Sequence, residues 1–419
     1  MVTRADVGSS RRTLIGACVG NAVEWYDFAI FGAFSTVLAQ VFFPNGSRAA
    51  LAVTFAIFAT SFIVRPLGAT IVGRRSDRLG RRGALSSMIA LMTVATAAIA
   101  VLPTWAMIGV LAPVLLLLLR LLQGFSAGGE VPSSVTFLLE SAPPGRRGWY
   151  GGWHTASIAI GMATGYGIAT LLTALCSGPA LRDWGWRLAF LIAAPLGLVA
   201  RFIRRRLDET RMFEAVVDPA SPRVVRDVLR GRGRRIARGL VLVAALSVAF
   251  NLWFVFLPSH LAATGAMPLY QALGISILGL SSAAVTAPLA GRLSDRVGRR
   301  PVLVASTLAL AGFAFPGFLL AGHSGLGLLV SDIVMGCVIG MLTVTAVIGE
   351  LFPTSVRATG IAVTYGVATA VAGGTAPLVA TLLAEAGAWW AVPAYLAGVA
   401  ALALAAAGTA RETAFDQLR

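Results

Sequence analysis

The sequence predicts an all-α membrane protein of twelve transmembrane helices, arranged as two six-helix halves. Three observations carry that prediction. Of the 419 residues, 57% are apolar and only 12% are charged, with a mean hydropathy of +0.81, whereas soluble domains carry about 25% charged residues. The apolar residues fall into runs of about 20 or more, the length that crosses a bilayer as helix. One ten-residue pattern also occurs twice, 218 positions apart, each time after the second run of a half. The composition excludes a soluble enzyme and a disordered chain. Long runs without period-two alternation exclude a membrane β-barrel.

Taken in order, a short polar arm with Arg11 and Arg12 precedes a first span from Thr13 to about Gln40, too long for a signal-peptide core. Spans follow at roughly 49–73, 83–103, 107–140, 149–175 and 185–205, which completes the first half, 1–200. A polar stretch over 201–235 reads as a basic cytoplasmic linker. The second half, 236–419, holds spans at 236–262, 268–292, 300–321, 324–351, 356–384 and 387–410.

Charge placement sets the expected orientation. All 34 basic residues are arginine, and the net charge is +16. With the N-terminus inside, 29 of the 34 fall in inside segments and three (Arg48, Arg182, Arg187) in outside loops. That bias puts both termini in the cytoplasm and makes the basicity a matter of topology, not of nucleic-acid binding. Cys18, Cys176 and Cys337, and His154, His260 and His323, are scattered without metal-ligand spacing, so no metal or other cofactor is expected.

The repeated pattern is Gly73-Arg-Arg-Ser-Asp77-Arg78-Leu-Gly80-Arg81-Arg82, answered by Gly291-Arg-Leu-Ser-Asp295-Arg296-Val-Gly298-Arg299-Arg300. A second echo links Glu140, Pro143 and Arg147 to Glu350, Pro353 and Arg357, each 210 positions on. Gly-x-x-x-Asp-Arg-x-Gly-Arg-Arg resembles the signature of the major facilitator superfamily, whose fold has two six-helix halves. Glu24-Trp25-Tyr26-Asp27-Phe28, Arg65-Pro66-Leu67-Gly68, Arg120-Leu-Leu-Gln123-Gly124, Trp184-Gly-Trp186-Arg187 and Glu209-Thr210 are similar to motifs of its metabolite:proton symporter family. That resemblance implies proton-coupled uptake by alternating access, with protons as the coupling ion, and permeases for oxoglutarate, citrate, shikimate and proline/betaine as kin.

A charge at mid-membrane costs about 2.5–3.5 kcal/mol on insertion scales, so each one needs a purpose. Glu24 and Asp27 lie eleven and fourteen residues into the first span and share a face; Arg120 lies about thirteen into the fourth. A titrating carboxylate beside a permanent cation suits proton-coupled transport, with Arg120 as anchor for a solute carboxylate. The competing reading is a fixed ion pair bracing helices one and four. Arg120, Gln123 and Glu130 share one helical band. Glu130 reads either as a second proton site or as the partner of Arg65. Tyr26, Asn251, Asp332 and Tyr365 complete the intramembrane candidates, with Asp332 expected to lack a local partner. His154 reads first as a satisfied interfacial histidine and second as a proton relay.

Asp77, Arg78, Asp295 and Arg296 sit at helix ends, where an aspartate can dock on a facing helix N-terminus and clamp the halves. Together with Arg65, Glu140, Arg147, Glu350 and Arg357 they form the expected conformational set. The sequence thus predicts a proton symporter for a small organic acid or zwitterion, working as a monomer in the bacterial inner membrane. The alternative is a proton antiporter exporting a drug or natural product, although the fifth span lacks the proline expected of such exporters.

Overall fold

The computed structural model describes residues 4–44, 49–69, 71, 81–205, 233–352 and 357–416, the side chains of 4–13, 81–86 and 204–205 excepted. Its described residues form helices and no strands. The first span, α1, runs as Arg4–Ala33, bends by 61° at Phe34 and continues as Ser35–Phe42. The remaining helices of the first half are α2 (Ala50–Ala69), α3 (Arg81–Ala100), α4 (Leu111–Glu140), α5 (Arg147–Leu175) and α6 (Trp186–Arg205). The second half holds α7 (Gly233–Ala263), α8 (Leu269–Val297), α9 (Arg299–His323), α10 (Gly325–Glu350), α11 (Arg357–Glu385) and α12 (Ala391–Gly408).

Each predicted span therefore coincides with a helix, but two boundaries move. Helix α1 starts at Arg4, so the polar arm is helical from there on. Helices α6 and α7 also run into the linker from both sides, to Arg205 and from Gly233; residues 206–232 lie outside the described residues.

Side chains facing outward are apolar along whole helices, as at Leu118, Val199, Val285, Leu319 and Leu402, while Asn21, Asp27, Arg120 and Asp332 are buried. That inversion suits a lipid solvent, where polar groups pair inside the bundle. Within the first half α1 lies along α5, and α3 along α6; in the second, α8 lies along α10 and α9 along α12. Helices α5 and α8 form the main contact between the halves. Leu14 packs near Tyr150, and Asp295 and Glu412 lie at the same end of the bundle, called here the terminal end.

The Trp-Arg motif at the start of α6 is a staple at the opposite, far end. Trp186 is fully buried against Phe42 and Phe190, and Arg187 donates to the carbonyls of Ala100 and Leu102 at the end of α3.

Candidate functional site

Helix α1 carries Glu24 and Asp27 one turn apart, and the structure gives them different partners. Glu24 meets Arg65 of α2 at 3.2 Å. The guanidinium of Arg65 also lies over the rings of Phe62 and Phe28, 4.4 and 4.6 Å from their centroids. Arg65 is thus paired with Glu24 and not with Glu130. Glu130 is buried at the start of the second segment of α4, beyond the Gly128–Gly129 break. Tyr365 of α11, largely buried, lines a narrow cleft with Arg65, Gly128 and Val131.

Asp27 and Arg120 do not touch. A chain of side chains joins them: Arg120 Nη1 donates to Gln123 Oε1 at 2.9 Å, and Gln123 Nε2 donates to Thr96 Oγ1 at 2.7 Å. Thr96 Oγ1 in turn lies 2.8 Å from Asp27 Oδ2 and 2.9 Å from the Met92 carbonyl. All four side chains are buried, yet Asp27 Oδ1 and the Nε and Nη2 of Arg120 have no hydrogen-bond partner among the described residues. Such atoms are costly in an apolar interior unless something comes to them. The rings of Phe31, Phe28 and Phe58 stand around the Arg120 guanidinium at 4.3, 4.9 and 5.4 Å, which supports its charge without using its N–H groups. Helices one and four are thus joined here through Gln123 and Thr96 and not by a direct Asp27–Arg120 ion pair. Thr96 is the member that sequence reasoning missed; a threonine in an apolar run gives no signal until α3 is placed beside α1.

Tyr26 turns to α6, its hydroxyl donating to the Ala189 carbonyl at 2.9 Å, so its place is that of a helix contact. Trp25 Nε1 has no hydrogen-bond partner among the described residues, and its ring meets Phe250 of α7 across the halves. His154 corrects its expectation: it is fully buried, and neither ring nitrogen has a partner among the described residues. Asn251 is buried at the start of a π-turn in α7, Leu252–Phe256, with Nδ2 donating to the Ser247 carbonyl and Oδ1 without a partner among the described residues. Asp332 also departs from expectation, because it has two partners: Trp253 Nε1 at 2.8 Å and Ser276 Oγ at 2.8 Å. Both are neutral and distant in sequence, hence invisible before folding.

At the terminal end the halves are bolted together. Asp295 accepts the N–H groups of Gly148 and Trp149, at 2.7 and 2.9 Å, at the N-terminus of α5, whose partial positive charge suits a carboxylate. Gly148 and Gly291 permit this approach, since a Cβ on either would sit on the carbonyl of the other. Arg299 meets Asp295 at 2.8 Å and Glu350 at 3.0 Å; Arg147 of the first half also reaches Glu350 at 3.3 Å. Arg357 and Glu140 pair across the halves at 2.8 Å. Arg296 is exposed, and Asp77 and Arg78 lie outside the described residues.

The segment after α12 completes the bolt. Glu412 accepts the N–H groups of Arg299 and Arg300, Thr413 Oγ1 reaches Glu350 at 2.6 Å, and Arg147 donates to the carbonyls of Ala414 and Asp416. Gly298, at φ +106°, turns the chain into α9 beside that carboxylate. Arg299 and Glu412 were not singled out in the sequence, although Arg299 belongs to the repeated pattern. The far end instead holds a cavity of about 590 Å³ between the halves, lined by Thr36, Gln40, Leu181, Ala262 and Met267 among others.

Comparison with known proteins agrees with this architecture. Residues 13–222 match the family described as sugar (and other) transporter, and residues 265–413 match the major facilitator superfamily. The proline/betaine transporter of Salmonella typhimurium is 31% identical over 100% of this chain and 87% of its own length. The citrate-proton symporter of Klebsiella pneumoniae is 35% identical, covering 91% of this chain and 87% of that one. The alpha-ketoglutarate permease of Escherichia coli is 33% identical over 92% and 90%. Among solved structures, the proton:xylose symporter XylE superposes with a TM-score of 0.79 over 99% of this chain and 98% of that one, at 19% identity, a likeness of fold.

Proposed function

The chain belongs to the major facilitator superfamily, in its metabolite:proton symporter family, as a multi-pass inner-membrane transporter, and from that premise we propose how its residues divide the work. Arg120 anchors a carboxylate of the solute, and Asp27 carries the coupling proton. The observation that carries this reading is the open valence of both groups, joined by Gln123 and Thr96 and not spent on each other.

Arg120 offers two unused N–H directions from a planar fork, the geometry that grips a carboxylate at two points. The relatives carry solutes named proline, betaine, citrate and alpha-ketoglutarate, and a carboxylate is common to all of them. The solute proposed here is accordingly a small organic acid or a zwitterion. Thr96 holds one hydroxyl proton with two acceptors in reach. It turns to Asp27 when that acid is ionised and to the Met92 carbonyl when the acid is protonated. Asp27 thus changes charge without breaking the chain to Arg120.

The terminal end is proposed to face the cytoplasm, supported by the arginine bias, and the far-end cavity to face the periplasm. The set Asp295, Arg299, Glu350, Arg147, Arg357 and Glu140 then serves as the inner gate, closed in this structure. The halves 1–200 and 236–419 rock about the central site in alternating access. One chain holds the whole path, so the monomer is the proposed working unit.

Purified carrier in proteoliposomes, offered glycine betaine, proline, citrate and alpha-ketoglutarate in turn, provides the check. Accumulation of at least one should follow an imposed proton gradient, collapse with a protonophore and survive removal of sodium. Uptake that tracks sodium and ignores the proton gradient overturns the reading.

A further inference from the structure

We propose that Asp332 is a second proton-binding site, separate from the Asp27–Arg120 pair, and that its proton holds the far end of the carrier closed through the π-turn of α7. The proposal rests on the reading of the chain as a proton-coupled transporter.

The geometry is a short lever. Asp332 is fully buried on α10, with Oδ1 on the indole N–H of Trp253 and Oδ2 on Ser276 of α8. Residues beside Trp253 in the same π-turn reach the first half. The Phe254 carbonyl accepts the hydroxyl of Tyr166 on α5, and the side chain of Val255 packs against Gly32 of α1. One turn on, Ser259 donates to the Gly32 carbonyl at 3.2 Å and lies 2.9 Å from Ser35. Trp253 therefore ties the seam between the halves to the acid, and its ring is wedged against Phe318 at 4.8 Å. A π-turn inside an α-helix is a common mark of a functional site.

Charged groups on the elements packed against Asp332 stand away from it. On α8 and α9 they are Arg292, Asp295, Arg296, Arg299 and Arg300 at the terminal end, with His323 exposed at the far end of α9. Arg234, Arg235 and Arg238 of α7, Arg147 and His154 of α5, and Glu350 of α10, paired with Arg299, also lie toward the terminal end, while His260 of α7 stacks on Trp389 and Phe256 at the far end and Tyr166 spends its hydroxyl on Phe254. The acid therefore meets only neutral donors. Its ionised form in this dry setting is costly, so it keeps its proton while the site is closed. Ser276 both donates and accepts, and can share that proton; the indole only donates. Loss of the proton requires water, and water reaches Oδ1 by displacing Trp253, which frees the π-turn and parts the seam. Binding of a proton from the far side reverses the sequence.

The test needs no solute. In a background with Cys18, Cys176 and Cys337 replaced by serine, Val37→Cys places a thiol at a buried position of the far-end cavity. Its maleimide labelling rate in right-side-out vesicles, normalised to the unfolded chain at each pH, reports opening. We expect labelling about tenfold faster at pH 8.5 than at pH 5.5. Asp332→Asn, which mimics the neutral acid, should label at the slow rate at both pH values. Trp253→Phe retains the acid and removes the N–H, and should also flatten the ratio. A parent ratio near one, or an unchanged ratio in Asp332→Asn or Trp253→Phe, overturns the proposal. Failure of proton-driven uptake with the expected labelling would remove the transport reading and leave the proton-gated seam in place.

Discussion

Asp27 and Asp332 are the same residue type, each buried among helices of one half, yet their surroundings have little in common. Asp27 has one oxygen in use and one without a partner, with a guanidinium two side chains away. Asp332 has both oxygens occupied by an indole and a hydroxyl, with no ion pair among the described residues. An acid with an open valence near a cation is equipped to answer a solute. An acid closed by neutral donors is equipped to answer only a proton. Burial alone does not distinguish these roles; the count of unused valences does.

The largest expected effect concerns a cation that has no counterpart beside Asp332. Arg65→Ala breaks the buried ion pair with Glu24, a loss of about 3–5 kcal/mol for such pairs. It should appear as a large fall in Tm of the detergent-solubilised carrier. Asp332→Asn, which leaves no cation stranded, should shift Tm far less. Equal falls would erase the contrast.

Next in size is the loss of the anchor. Arg120→Ala should weaken binding of whichever of the four solutes is transported by ~10–150-fold, the value of hydrogen bonds to a charged group. Arg120→Lys keeps the charge but loses the fork, and should lie between. Asp27→Asn should bind normally and exchange solute across equal concentrations, but accumulate none against a gradient. Recovery of transport by the swapped pair Arg120→Asp with Asp27→Arg would show that the two only brace each other.

Asp295→Asn should slow transport about tenfold and leave the Kd within about twofold, because the carboxylate binds the α5 N-terminus and not the central site. A comparable loss of binding would move Asp295 into the solute site.

The smallest effect belongs to Glu412, outside the membrane helices. Burial alone would raise its carboxyl, but four backbone N–H groups, those of Ala414, Arg299, Arg300 and Thr413, outweigh that and hold it below the usual carboxylate range. A carboxyl lowered in the folded state stabilises above its unfolded pKa and loses that contribution as pH falls through the folded one. The Tm gap between wild type and Glu412→Gln should therefore be present at pH 7 and shrink as pH drops below about 4. A gap that widens on acidification would contradict the N–H cradle.

Much of this was written in the sequence. Run lengths locate the spans because the bilayer sets a length, and the Asp-Arg-Gly repeat marks helix ends because a duplicated unit repeats its joints. Asp27 and Arg120 are legible as unusual charges in apolar runs. What escapes is whatever depends on one helix meeting another. Thr96 is ordinary until α3 touches α1, the Trp253 indole is unremarkable until the π-turn aims it at α10, and Arg65 stands equally open to Glu24 and Glu130 until the helices are placed. The 61° bend at Phe34 has no proline, and Gly32 and Ser35 on either side of it are a weak local signal that the run-length reading passed over.

The strap made by Glu412, Thr413 and Ala414 bears on how the molecule is made. Synthesis runs from the N-terminus at about 5–20 residues per second, so the residues this segment holds, Arg147 and Glu350, are made seconds before it exists. Arg147 and Glu350 are then present without the carbonyls and hydroxyl that later hold them. The nascent chain holds that end unlatched until residues 412–416 have followed Arg147 and Glu350 out of the ribosome.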